Sequence, residues 1–268
     1  MFQIRIPDSR VVKHTVKAAL KGRRIAAGMA GLIPYLIYLV LISLYGVFAM
    51  LFANLQIVAI CVLAVATFIL FLPLMLGAVR WFWRLADGCE EPVFEVFYYF
   101  SSLKLYKRAF KCVSFLIFKC VSAIFICMLP FIIVSIISGS WVYRFLGTEI
   151  PLWVAGLALV QSFLRIVGII VGVVVISRYY LFPIMAVMND DMLLHEAMHI
   201  SMLVSKRSAA SFIGLYISLI GWILLSVFIA PIFYVAPILL TAYAVHSRFA
   251  LVNYNQNLEK IKNEQYSF

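Results

Sequence analysis

The chain has 268 residues, 65% hydrophobic and 12% charged, with mean hydropathy +1.06 and formal net charge +11. Soluble domains carry roughly 25% charged residues, so an ordinary soluble domain is excluded and a polytopic membrane protein is expected. The bases gather beside apolar runs instead of covering a surface, which excludes nucleic acid as their partner and points to topology signals and anionic lipid.

Residues 1–24 form a basic, amphipathic segment read as cytoplasmic. Lys13, Lys17 and Lys21 fall on one helical stripe, and Val12, Val16, Ala19 and Leu20 on another. No signal peptide is expected, because the following apolar run far exceeds an h-region. Residues 25–79 contain no Asp, Glu, Lys or Arg. A span needs roughly 20 apolar residues, so this run predicts two, Ala26 to Met50 and Gln56 to Val79, with a turn near Asn54.

Residues 80–111 form a predicted cytoplasmic loop. Within it Pro92 sits at a first helical position, Val93, Val96, Phe97 and Phe100 share a face, and Lys104, Lys107 and Arg108 end the segment. A third span is predicted from Cys112 to Ser138. The fourth lies within Leu152 to Met188, whose 37 residues would stretch about 55 Å as one helix. Part of it must therefore lie outside, tilt or bend, and Pro183 is the expected kink. The stretch from Leu152 to Leu164 is expected to lie partly in the outer interface. A second cytoplasmic loop, 189–207, places Leu193, Ala197, Ile200 and Val204 together and ends in Lys206 and Arg207. Residues 208–247 are again free of Asp, Glu, Lys and Arg, predicting spans from Ala209 to Phe228 and from Pro231 to Ser247. Residues 248–268 form a polar tail.

Of the 22 Lys and Arg, 19 fall on one side of this arrangement, Arg144 alone falls on the other, and Lys119 and Arg165 fall inside spans. The positive-inside rule then places both termini in the cytoplasm. Each odd span follows a basic amphipathic segment. Each even span closes on a cation and aromatic rings: Arg80-Trp81-Phe82, Arg178-Tyr179-Tyr180 and Arg248-Phe249. Such rings are expected in an aromatic belt at headgroup level. The fold class predicted is an all-α polytopic membrane protein. It has six transmembrane helices in three hairpins within 25–247, each preceded by an interfacial helix.

Five cysteines, Cys61, Cys89, Cys112, Cys120 and Cys127, include no C-x-x-C pair and read as small packing residues. His195-Glu196-Ala197-Met198-His199 has the letters of H-E-x-x-H, which on a helix pairs two imidazoles for zinc with a Glu as base. The helical wheel instead puts these residues beside Lys206 and Arg207 on a polar face, outside any span. The best third ligand is His246. No metal site, catalytic residue or cofactor is assigned. Arg165 either faces a cavity, pairs with a carbonyl, binds a lipid phosphate, or marks the outer end of a shorter span, whereas Lys119 can snorkel. No Asp or Glu falls in any span, which disfavours proton- or sodium-coupled transport. G-x-S-x-G, P-loop and dinucleotide fingerprints are absent. Asp87-Gly88 and Asn189-Asp190-Asp191 read as caps and turns.

From Arg178 to Phe249 the chain runs Arg-Tyr-Tyr-Leu-Phe-Pro, Asn189-Asp190, a helix with Glu196-Ala197 and Ser201, then Lys206-Arg207 and Phe212-Ile-Gly-Leu-Tyr to Gly221-Trp222, ending in Thr241-Ala-Tyr-Ala. This resembles the bacterial multi-pass membrane proteins of domain-of-unknown-function family 975, as does the basic segment Lys17 to Arg24. The resemblance implies an integral protein of the bacterial cytoplasmic membrane and brings no established activity. The sequence thus predicts a non-enzymatic membrane module that organises lipid, or a membrane-protein partner or second copy, through its basic inner surface. Lys13, Lys17, Lys21, Lys104, Lys107, Arg108, Lys206 and Arg207 are its expected contacts to anionic headgroups. An uncoupled anion transporter using Arg165 or Arg178, and a zinc protease, are the alternatives.

Overall fold

A computed structural model describes residues 8–51, 56–144, 152–225 and 229–265, and among these every regular element is helical. In chain order they are α1 (Ser9–Ala19), α2 (Arg24–Leu51), α3 (Gln56–Ala86), a 3-10 segment (Val93–Phe100), α4 (Leu103–Arg144), α5 (Leu152–Ile176), a 3-10 turn (Ser177–Tyr179), α6 (Phe182–Met188), α7 (Leu194–Ser218), α8 (Ile220–Leu225) and α9 (Ile229–Gln265). The expected turn near Asn54, the outer loop around Thr148 and the end of the expected fifth span at Phe228 lie outside the described residues.

Among the described residues five stretches are helical, long and apolar enough to cross a membrane: Arg24–Phe48, Ile60–Ala86, Leu103–Ile137, Leu159–Met188 and Phe233–Asn257. The expected span from Ala209 is not among them. It falls on the second half of α7 and on α8, which part at Leu219. The overlong fourth run is resolved at its inner end. α5 stops at Ile176, a 3-10 turn follows, and Pro183 opens α6 instead of kinking a continuous helix. There its missing N–H costs nothing, because the first turn has no intrahelical acceptor to lose.

The predicted interfacial helices take three different forms. α1 matches its predicted stripe, with Val12, Val16 and Leu20 buried and Lys13, Lys17 and Lys21 exposed. Its apolar face, however, is taken up by protein. Those side chains join Ala27, Trp81, Leu219 and Ala242 in one core cluster, where each burial is worth roughly 1.5–3 kcal/mol. The second segment is 3-10 before Leu103 and then runs into α4 without a break at Cys112. The third is the first half of α7, a single helix through Ser218, with Leu193 exposed at its start and Ala197 and Val204 buried.

The core lies at the end where the charged loops gather. Apart from the cluster around α1, a second gathers Trp83, Tyr99, Cys112, Phe182, Ile184 and Met198 from α3, the 3-10 segment, α4, α6 and α7. Gly77 permits this meeting, since a Cβ there would lie 1.9 Å from the Val96 carbonyl oxygen. Away from this end α4 and α5 pair mainly with each other, with Gln161 donating to Ser135 Oγ at 2.8 Å. Their other faces, such as Phe125, Ile136, Phe163 and Ile170, are exposed, as lipid-facing residues are.

α7 and α9 form an antiparallel pair. His246 meets Ser211 and Tyr180, and the Tyr216 hydroxyl donates to the Leu239 carbonyl. Four contacts pin this pair to residues beside boundary cations. Lys13 reaches Ser218, Phe233 covers Gly28 four residues beyond Arg24, the Tyr243 hydroxyl donates to the carbonyl of Tyr180 two residues beyond Arg178, and Arg248 pairs with Asp87. Both ends of the pair are therefore held beside the start of α2 and the end of α3, at the end of the assembly that carries the charged loops.

Candidate lipid-contact surface

Acids from the loop after α3 and from the α6–α7 turn bind arginines of the helices around them. Asp87 pairs with Arg248 at 3.1 Å, Glu91 with Arg84 at 3.4 Å, Glu90 with Arg23, and Asp190 with Arg108 at 3.9 Å. Backbone carbonyls add to the ties. Arg23 also donates to the Cys89 carbonyl and Arg248 to that of Ala86, while Arg108 donates to Asn189 and Met192. Asn189 Oδ1 accepts from the Asp191 amide at 3.0 Å, the turn expected there. Arg80 stacks 3.3 Å from the Tyr98 ring centroid, a cation–π contact. Asp190 accepts from the Tyr98 hydroxyl.

These contacts sort the expected lipid residues. Lys13, Lys17, Lys21, Lys104, Lys107, Lys206 and Arg207 are exposed. Arg108 is only half-exposed and is engaged by Asp190 and two carbonyls. It clamps the α6–α7 turn onto α4, so part of its hydrogen-bonding capacity is taken up within the chain. The adjacency Lys107-Arg108 hid this, because one helical step of about 100° separates an outward residue from a tilted one.

The aromatic belt is corrected. Trp81, Phe82 and Tyr180 are buried. Trp81 Nε1 donates to the Pro92 carbonyl at 3.2 Å and Tyr180 stacks on Phe212 at 4.1 Å between centroids. These rings hold the inner core together. Behind them lies a polar node that sequence reasoning missed. The Tyr180 hydroxyl donates to Ser208 Oγ at 2.7 Å and lies 3.4 Å from His246 Nδ1, and Ser211 Oγ lies 3.2 Å from His246 Nε2. The serines are spaced three residues apart, at Ser205, Ser208 and Ser211, a periodicity that marks one helix face.

His246 is fully buried, with both ring nitrogens facing these hydroxyls, while His195, Glu196 and His199 are exposed on α7. The three histidines that the alternative zinc reading would need do not converge, and among the described residues no group of three or more His, Cys, Asp or Glu is placed to hold a metal. Arg165 lies exposed, its guanidinium 5.9 Å from the Phe131 centroid, and Lys119 sits 5.6 Å from that of Phe115. Arg178 is exposed and its carbonyl accepts from Ser201. Burial, then the charge of Asp190, pushes the Tyr99 phenol well above its ordinary range, against the smaller effect of Arg80.

A cleft of about 440 Å³ lies where α1 meets the start of α2, α8 and the start of α9. Lys13, Lys17 and Arg24 rim it, and Leu20, Leu219, Trp222, Phe233 and Pro237 are among its walls. A smaller one of about 220 Å³ lies beside Arg23, Trp81 and Glu91, and another of about 230 Å³ between the outer halves of α2 and α3. Neither Arg165 nor Arg178 lines any of the three.

The chain matches no known protein family, no curated protein and no solved structure.

Proposed function

We propose that the protein is a non-enzymatic module of the bacterial cytoplasmic membrane that engages anionic lipid through its inner surface. The observation that carries this reading is the segregation of its cations. Arginines that meet an acid do so at the inner end, and the exposed lysines Lys13, Lys17, Lys21, Lys104, Lys107 and Lys206 lie on the same segments. Each exposed base near an anionic leaflet is worth about 1 kcal/mol of attraction. The bacterial setting rests on the resemblance of Arg178 to Phe249 to domain-of-unknown-function family 975 alone.

In this account α2 to α5 cross the bilayer as two hairpins and return the chain to the side it started from. The α7–α9 pair stays at the inner face with its apolar tip, Ile220, Trp222 and Leu224, against the lipid. Both termini are then cytoplasmic, in accord with the charge asymmetry. The anion-transport reading gains no support from the cavities, and the zinc reading gains none from His246.

Reconstitution tests the proposal. In bilayers holding spin-labelled phosphatidylglycerol or phosphatidylcholine, the protein is expected to restrict the anionic lipid preferentially. That preference should shrink as salt rises from 0.05 to about 0.5 M and fall when the six lysines become glutamine. Equal restriction of both lipids by the unaltered protein would refute the proposal.

A further inference from the structure

We infer that the cleft between α1, α2, α8 and α9 is a stoichiometric binding site for one anionic phospholipid. It would hold the phosphate on Lys13, Lys17 and Arg24 and an acyl chain along Leu219, Phe233 and Pro237. This rests on the lipid reading above and adds to it a single, saturable site.

Three observations converge. The first is composition. The cleft has three cations at its rim and apolar walls beneath, and no Asp or Glu lines it. That is complementary to a molecule with an anionic head and a hydrocarbon tail. A soluble anion would leave the walls wet, and a neutral chain would leave the rim unused. Its volume of about 440 Å³ lies within the roughly 300–1,000 Å³ of ligand sites.

The second is the contrast with the neighbouring arginines. Arg23, adjacent to Arg24, is held by Glu90, and Arg84, Arg108 and Arg248 each meet an acid. Lys17 and Arg24 meet none among the described residues. Lys13 spends one donor on the Ser218 carbonyl at 3.1 Å, which bridges α1 to the end of α7 and leaves two for a ligand. Arg24 opens α2, and the first turn of that helix contains no acid. A cation at a helix N-terminus opposes the backbone dipole. A phosphate beside Arg24 would relieve both charges.

The third is depth. Arg24 is the last cation before the charge-free residues 25–79, so the rim lies at headgroup level while the walls point to the hydrocarbon. Trp222 and Tyr234, both lining the cleft, are exposed, as aromatic residues of a membrane interface are.

Native mass spectrometry of the detergent-purified full chain tests this with phosphatidylglycerol and phosphatidylcholine of the same acyl chains. One phosphatidylglycerol is expected to bind per chain, at least tenfold more tightly than phosphatidylcholine. Lys17→Gln with Arg24→Gln should weaken it on the order of thirtyfold. These are exposed residues, so helix content and monodispersity should not change. Lys104→Gln with Lys107→Gln, away from the cleft, should leave the single bound lipid in place while lowering bulk selectivity in bilayers. Ile238→Trp, which fills the cleft without altering charge, should weaken both lipids. Equal binding of the two lipids, or undiminished phosphatidylglycerol binding by the Lys17/Arg24 variant, would overturn the inference. If bilayer selectivity nevertheless falls in the lysine variants, the proposal of a basic inner surface stands and the specific site does not.

Discussion

Gly77 and Tyr99 show how single residues decide whether the inner core closes. The Val96 carbonyl occupies the space that a side chain at position 77 would need. Gly77→Ala must push the 3-10 segment off α3, and overpacking of this kind costs about 1–3 kcal/mol. A lower thermal midpoint in detergent, with Gly214→Ala as the open-space control, checks it. Tyr99 is buried, and among the described residues its hydroxyl finds no hydrogen-bond partner. An unsatisfied buried hydroxyl carries a desolvation cost of about 1–3 kcal/mol, so Tyr99→Phe should leave stability unchanged or raise it slightly. A clear loss of midpoint would show that this oxygen has a partner. At this scale the sequence was legible where periodicity speaks for one helix. Val12, Val16 and Leu20 were readable because they recur every fourth residue. The partners of Arg108 and Trp81 were not legible, because Asp190 and the Pro92 carbonyl lie on other segments and leave no periodic signal.

Elements were legible as apolar runs, and less so as separate objects. Charge marks where a helix leaves hydrocarbon, but it does not stop a helix, because Lys and Arg are good helix formers. Hence α4 runs from Leu103 through Lys111 and onward, and α7 runs through Lys206 and Arg207 to Ser218. The expected boundary near Ala209 was a change of polarity within one helix. Proline tests this directly. Ala210 is an exposed residue within α7. Ala210→Pro removes an interior hydrogen bond and should cost about 3 kcal/mol, seen as a lower midpoint beside an Ala210→Ser control. Wild-type stability in the proline variant would place a break there after all.

Seen as a whole molecule, the protein concentrates its polar chemistry at one end. Four acids bind four arginines there, a histidine–tyrosine–serine node is sealed beneath α9, and the cleft opens beside α1. The multi-pass, apolar character of the helices followed from the charge-free runs alone. The course of the last helix did not, because Phe233–Asn257 of α9 satisfies the length and apolarity of a span whether it crosses or lies along the surface. The contacts at Lys13, Gly28, Tyr180 and Asp87 favour the surface course, on which the proposed lipid site depends. A cysteine at Tyr234, in a variant otherwise free of cysteine, measures it. Held at the inner face, Tyr234→Cys is reached by a membrane-impermeant maleimide in inside-out vesicles and not in intact cells. In an upright hairpin the same residue would lie about 21 Å from Arg248 along the helix, within the hydrocarbon. Labelling from the inner side is the predicted result, and a cysteine unreactive from both sides, or labelled from outside, would contradict the account.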